Sequence, residues 1–260
     1  MTLSTPDIAM PDVATLERIS ARAWPAAREM QLGGWRLHGS SGFSGRINAC
    51  WPLEDPGLSL SEAVAQTEAW YARQDLPCLF KIVASACAPA GLVDHLVRCG
   101  YRPRTETTMM IGPAVGRFDE RVALGEAVDE SFAAVFSATA EDPGDARERL
   151  ETLARIPAPR ALARLTLDGV PAAIGACAVE GDWAGLFAMR TDPAHRRRGL
   201  ARRVLGALLA WAGDAGAKRA WLQVEADNDP AIALYAAAGF AEAYRYRYWF
   251  RPEGAPGRET

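Results

Sequence analysis

Leu200, Val204, Leu208 and Trp211 recur at spacings of four, four and three, which predicts a helix over Leu200–Ala215 with one apolar face. Gly213–Lys218 closes it, and the apolar-rich "RAWLQVEA" over Arg219–Ala226 predicts a strand. In "DNDPAIALYAAAGF" (Asp227–Phe240), Asp229 suits an N-cap, Pro230 the first turn and Gly239 the left-handed position past the end, so a short helix is expected there. The aromatic-rich "AYRYRYWFRP" (Ala243–Pro252) predicts a last strand. Upstream, three apolar runs are punctuated by Asp168-Gly169 and Glu180-Gly181-Asp182, as in an antiparallel meander. Glu130–Ala140 and Ala146–Ile156 precede them as helices. The layout is a mixed α/β sheet.

The first 113 residues hold a Gly-flanked strand pair, a helix over Leu60–Arg73, the strand "CLFKIVAS", a helix ending "LVRCGY" and the strand "RTETTMMIGP". The last part of this order matches the end of the chain. Both "WYARQDLPCLFKIV" and "WAGDAGAKRAWLQV" run from Trp to Val, and "HLVRCGYRPRTETTMMIGP" parallels "LYAAAGFAEAYRYRYWFRP". Two related halves are expected, 1–113 and 114–253, joined near Pro113–Arg117 and followed by a loose tail, 254–260.

Composition narrows the function. A chain of 260 residues with net charge −3 is no general electrostatic match for nucleic acid, so DNA or RNA binding through the arginines is disfavoured. Five scattered cysteines without a C-x-x-C pair, and three scattered histidines, complete no zinc pattern; no metal is expected. The N-terminal "MTLSTPDIAMPDV" has no basic stretch before an apolar core, and no apolar run reaches the length of a membrane span. A cytoplasmic protein without membrane contact, monomer or homodimer, is the expectation.

The candidate chemistry lies in "AMRTDPAHRRRGLARR" (Ala188–Arg203), where a strand runs into an Arg/Gly turn and then a helix. The first N–H groups of a helix lack internal partners and carry partial positive charge. Gly199 lets the backbone approach an anion, small Ala201 keeps the first turn open, and arginines add charged donors. The array would suit a pyrophosphate, although its spacing is neither that of a Rossmann nor of a P-loop motif.

Arg196-x-x-Gly199-x-Ala201, followed by a helix, a strand and "NDPAIALYAAAGF", resembles the acetyl-CoA-binding core of the GNAT superfamily of N-acetyltransferases. The resemblance implies a GNAT fold in the C-terminal half, tandem with a degenerate N-terminal half, and transfer from acetyl-CoA to an amine of a small molecule or peptide in a ternary complex. A non-catalytic CoA-binding module is the alternative. By the same resemblance, backbone groups of Met189, Arg190 and Thr191 would pair with the pantetheine arm. Amides within Arg196, Arg197, Arg198, Gly199, Leu200, Ala201 and Arg202 would cradle the pyrophosphate, Asn228 would bind the arm, and Tyr235 would face the sulfur.

A phenol of pKa about 10 cannot fully protonate a thiolate of pKa about 8.5 without a cost of about 2 kcal/mol, so Tyr235 is expected to act as a hydrogen-bond donor. GNAT enzymes that acetylate protein N-termini often carry a Glu twelve residues before this tyrosine. Here that position is Gln223, and Glu225, two residues on and on the same strand face, is the candidate base. A weak base favours an amine of pKa near 8, about 10% neutral at pH 7, over a lysine. Trp35, Arg46 and Asn48 are candidate acceptor-lining residues on the Gly-flanked pair. Aligning Gly100-Tyr101 with Gly239-Phe240 puts Leu96 opposite Tyr235, and Glu54 and Asp55 stand where an anion would enter, so no CoA is expected in the first half.

Overall fold

The computed structural model describes residues 12–252. Most of the N-terminal stretch examined for a leader, and the tail 254–260, lie outside them. The first half comprises α1 (Val13–Ala23), β1 (Arg28–Leu32), β2 (Trp35–Gly39), β3 (Cys50–Pro52), α2 (Leu60–Ala72), β4 (Leu79–Ile82), α3 (Leu92–Arg98) and β5 (Arg102–Pro113). The second comprises β6 (Val122–Gly125), α4 (Glu130–Ala138), α5 (Pro143–Arg155), β7 (Arg160–Leu167), β8 (Val170–Glu180), β9 (Trp183–Thr191), α6 (Leu200–Asp214), β10 (Arg219–Glu225), α7 (Asp229–Ala237) and β11 (Ala241–Phe250). No helix among the described residues is long and apolar enough to cross a membrane.

The eleven strands among the described residues form one mixed sheet in the order β1-β2-β3-β4-β11-β5-β10-β9-β8-β7-β6. The two halves repeat the unit helix–strand–helix–strand (α2-β4-α3-β5 and α6-β10-α7-β11), but their last strands cross over. β5 pairs antiparallel with β10 of the second half, β11 pairs antiparallel with β4 of the first, and β5 and β11 pair with each other. The repeat extends to single hydrogen bonds. Tyr101 N donates to Leu96 O at 2.9 Å after α3, and Phe240 N donates to Tyr235 O at 3.0 Å after α7. Gly100 and Gly239 take φ of +81° and +86° in these matching caps. Leu96 and Tyr235 are therefore structural equivalents, and Leu96 is sealed in the first half's core.

Local sequence explains most elements. The Asp168-Gly169 hairpin has φ of +50° and +82° at its two central residues, the pattern of the turn that matches strand twist. β8 is buried along nearly its whole length because helices cover both its faces, which is why it reads as continuous Ala, Val and Ile. In α6 the buried stripe runs through Leu200, Val204, Leu208 and Ala212, with Trp211 only half-buried beside it. The N-cap of α7 is Asn228, one residue before the expected Asp229; its Oδ1 accepts from Ala231 N at 3.2 Å.

One face carries a core shared by both halves. Leu16 and Ile19 of α1, Phe132 and Phe136 of α4 and Leu153 of α5 meet Trp221, Tyr244, Tyr246 and Tyr248 on the sheet. The second half's loops also hold the first half's. The Glu148 carboxylate of α5, 1% exposed, accepts from Ser41 N (2.6 Å), Phe43 N (3.4 Å), Ser44 N (2.7 Å) and Asn48 Nδ2 (2.8 Å). Glu148→Ala would leave these donors unsatisfied, and each such buried group costs about 1–3 kcal/mol. Calorimetry should show a loss of about 3 kcal/mol, or roughly 6–12 °C in Tm. A shift below 1 °C would mean that the loop is held by something else.

Candidate active site

The sheet opens at one place. β9 and β10 run parallel and pair from Trp183/Arg219 to Leu186/Leu222, then part. β10 continues to Glu225 against β5, while β9 stays with β8 and carries an extra residue. Ile174 faces Arg190 and Ala176 faces Phe187, so Gly175 opposes both Ala188 and Met189, and Ala188 takes φ +53°. This is a β-bulge, which bends the strand and frees backbone groups from the ladder. The opening is a cleft of about 590 Å³ lined from both halves of the chain. Met189, Arg190, Gln223, Glu225, Asn228 and Tyr235 all line it, with Arg46 from the first half.

At the end of β9 a one-turn helix, Pro193–His195, leads into the arginine loop. Arg197 (φ +63°) and Gly199 (φ +74°) are both left-handed, and Gly199 caps α6 with no side-chain hydrogen bond. A Cβ at Gly199 would meet nothing within 4 Å, so the space in front of the first turn is open. Leu200 is buried and anchors the turn, Ala201 is half-buried, and Arg196, Arg197, Arg198 and Arg202 are exposed around it. Arg203, by contrast, is tied to Asp119 by two hydrogen bonds of 2.5 and 2.8 Å. The matching entrance of α2 is chemically opposite. Ser59 and Glu62 form a capping box that satisfies the first amides and places a carboxylate there.

Tyr235 projects from α7 into the cleft and is 8% exposed. Burial pushes its phenol up to about 12, against the opposing pull of Arg46. Asn228 spends its carbonyl oxygen on the α7 cap, which leaves its amide nitrogen for a ligand.

On the other strand face, Tyr246 OH donates to Gln223 Oε1 at 2.5 Å and Arg46 Nη2 donates to Gln223 O at 2.9 Å. Burial works against the Arg46 charge, but Tyr246, Tyr248 and Glu225 more than offset it. Behind them, Lys81 and Glu17 form a buried pair at 2.5 Å, and Tyr244 OH donates to the same carboxylate at 2.7 Å. Neither Glu17 nor Lys81 was expected from sequence. The one available signal was the i, i+2 spacing of Tyr244, Tyr246 and Tyr248, which puts three phenols on one face of β11.

Of the three residues expected to line an acceptor site, only Arg46 lies at the cleft. Trp35 is fully buried in the first half's own core, with its Nε1 donating to Ala88 O at 2.8 Å. Asn48 is also fully buried; it accepts from Ser40 N and Gly42 N and donates to Ser44 O and Glu148. Its amide is consumed in shaping the loop that carries Arg46. Neither Arg46 nor Asn48 lies on a strand: residues Gly45–Ile47 form a one-turn helix between β2 and β3.

The family described as "Probable histone acetyltransferase Rv0428c C-terminal" matches residues 11–249. YobR of Bacillus subtilis, described as an uncharacterized N-acetyltransferase, is 26% identical over 247 residues, covering 92% of this chain and 98% of its own length. The [ribosomal protein bS18]-alanine N-acetyltransferase of Escherichia coli K12 is 39% identical over 87 residues, 34% of this chain and 59% of that enzyme. Among solved structures, a GCN5-related N-acetyltransferase from Kribbella flavida superposes with a TM-score of 0.69 at 19% identity, covering 95% of this chain and 98% of that one.

The left-handed turn has a direct check. Gly199→Ala has room for its methyl but must hold φ +74°, at a cost of about 1 kcal/mol. Tm should fall by roughly 2–4 °C. A Tm equal to or above that of the parent would contradict the turn geometry.

Proposed function

The chain belongs to the family described as probable histone acetyltransferase Rv0428c C-terminal, within the GNAT superfamily of N-acetyltransferases, and on that premise we propose that it moves an acetyl group from acetyl-CoA to an amine of low pKa. One observation carries this reading. The parted edge of β9 and the phenol of Tyr235 line one cleft, and β9 leads on through a single helical turn to the open, left-handed start of α6.

The fit to acetyl-CoA rests on groups that otherwise lack partners. The uncapped amides at the start of α6 and the flanking arginines suit a pyrophosphate. The edge of β9 beyond Leu186, with no β10 partner, suits the amide groups of the pantetheine arm, with Asn228 Nδ2 beside it. When bound, acetyl-CoA supplies an activated acyl group for direct attack by the amine.

The bulge at Ala188 takes backbone N–H groups of β9 out of the ladder, and fixed dipoles of this kind would favour the negative charge that develops on a reacting carbonyl. Tyr235 stays protonated and donates a hydrogen bond to the leaving sulfur. With a pKa about 12, full transfer to a thiolate of about 8.5 would cost about 5 kcal/mol, which makes donation rather than transfer its role. Glu225 at the cleft margin takes the amine's proton, directly or through water. Gln223 cannot, since a side-chain amide is no base at neutral pH; its Oε1 instead accepts from Tyr246 OH. The first half supplies Arg46 and the loop behind it, and its blocked α2 entrance supports one acetyl-CoA per chain. A single chain holds the complete cleft, so a monomer suffices.

Acetyl-CoA at 100-fold excess over Kd should stabilise the intact protein by about 3 kcal/mol, read as a rise in Tm. Gly199→Val should abolish the shift at matched stability. A full shift in that variant would remove the pyrophosphate assignment.

Tyr235→Phe should keep acetyl-CoA affinity and lower kcat by about 10²-fold. In the parent, kcat/KM should rise with deprotonation of the amine and show no descending limb up to about pH 10, because the Tyr235 proton is retained until about 12. A descending limb near pH 8–9 that vanishes in Tyr235→Phe would contradict the high phenol pKa.

A further inference from the structure

Beside Arg104 of β5, which is exposed, three arginines from three separate elements line the cleft. Arg46 comes from the turn after β2, Arg149 from α5 and Arg190 from β9. Arg149 is held in a fork by Asp145, at 2.8 and 2.9 Å. The other two are held by backbone carbonyls instead: Arg46 Nη2 by Gln223 O at 2.9 Å, and Arg190 Nη1 by Thr139 O at 3.1 Å. Arg190 also lies over the Phe136 ring, 5.1 Å from its centroid. Among the described residues, neither Arg46 nor Arg190 forms a salt bridge. The remaining acids of the cleft are Glu141, exposed at the mouth, and Glu225, exposed at the end of β10.

Two half-buried guanidiniums without a carboxylate, fixed by aromatic and carbonyl contacts in a polar cleft, are preorganised donors. A guanidinium has five N–H groups, and one bond to a carbonyl leaves the fork available. Burial, followed by the like charge of Arg149 and then of Arg46, lowers the Arg190 pKa, while Asp145 and Glu141 oppose this only in part. An anion between Arg46 and Arg190 would relieve that crowding and gain charge-assisted hydrogen bonds. A lysine-rich peptide in the same place would add to it.

We propose that the amine acceptor carries a carboxylate, gripped by Arg46 and Arg190 in the cleft. This rests on the acetyltransferase reading of the cleft and narrows its substrate class. The carboxylate belongs either to a free amino acid-like molecule or to an acidic side chain beside a peptide's N-terminus. The chemistry that holds it is the same.

Calorimetric titration of the intact protein, with and without saturating CoA, tests this with three probes: an N-acetyl amino acid, its carboxamide, and an N-acetyl dipeptide amide with Glu second. At least one carboxylate probe is expected to bind tenfold or more tightly than the carboxamide. Arg190→Gln and Arg46→Gln should each remove most of that advantage, and Arg190→Lys should keep part of it, with Tm values confirming that the variants fold. The tighter carboxylate probe distinguishes the small molecule from the peptide. Equal binding of acid and carboxamide, no binding of any probe, or an advantage that survives in the Arg46→Gln/Arg190→Gln double variant would overturn the proposal. Acetyl-CoA titrated into the same samples separates the two claims: normal acetyl-CoA binding beside equal probe affinities sinks the carboxylate site alone, whereas absent acetyl-CoA binding sinks the transferase reading whatever the probes show.

Discussion

β10 has β5 on one edge and β9 on the other, but only β5 stays with it to its end. It pairs with β5 from Arg219/Pro113 to Glu225/Thr107, but with β9 only from Arg219/Trp183 to Leu222/Leu186. The longer antiparallel register wins, and the last three residues of β10 are drawn away from β9. Because β5 belongs to the first half of the chain, the opening in the second half's sheet is set by a strand the second half does not contain. Everything at the site follows from that opening. The free edge of β9, the place of Tyr235 above it and the entry of Arg46 from the other face would all be lost if β9 and β10 stayed paired. The bulge at Ala188 completes the separation by turning β9 back toward β8.

The two halves show how one topology yields one site. Both have a helix between two parallel strands, and both end the second helix of the repeated unit with the same glycine cap. Two local differences separate them. α6 begins at a bare left-handed glycine with its amides open, whereas α2 begins with Ser59 and Glu62 closing those amides on each other. Tyr235 lines a cleft, whereas Leu96 fills a core. The first half thus contributes shape: its α1 stacks Trp24 on Phe187 with centroids 4.9 Å apart, and its loop, clamped by Glu148, delivers Arg46.

Much of this was legible in the chain wherever the determining physics is local. Helices α6 and α7, the β7–β9 meander and the two halves' parallel endings follow from periodicity, caps and turn residues that act over a few positions. The match of Leu96 with Tyr235 followed from glycine spacing alone. What escaped depends on partners far away in sequence. Nothing near residue 105 or 245 states that β5 and β11 will cross between halves. Trp35 and Asn48 carry groups suited to a binding site, but the first half's own core buries Trp35, and Glu148 of the other half, 100 positions away, takes Asn48. Glu17 and Lys81 were passed over for the same reason, since each is a surface residue by type until the other is placed beside it.

The central claim is that the crossed strands bind the two halves into a single structure on which the site depends. Native-state hydrogen exchange on the intact chain tests this most directly, by following opening free energies strand by strand in increasing denaturant. The account predicts that amides of β4, β11, β5 and β10 converge on one opening free energy, within about 1 kcal/mol, and lose protection together. Protection that persists in β10 and β9 after β4, β5 and β11 have opened would show a second half that stands alone, and would contradict it.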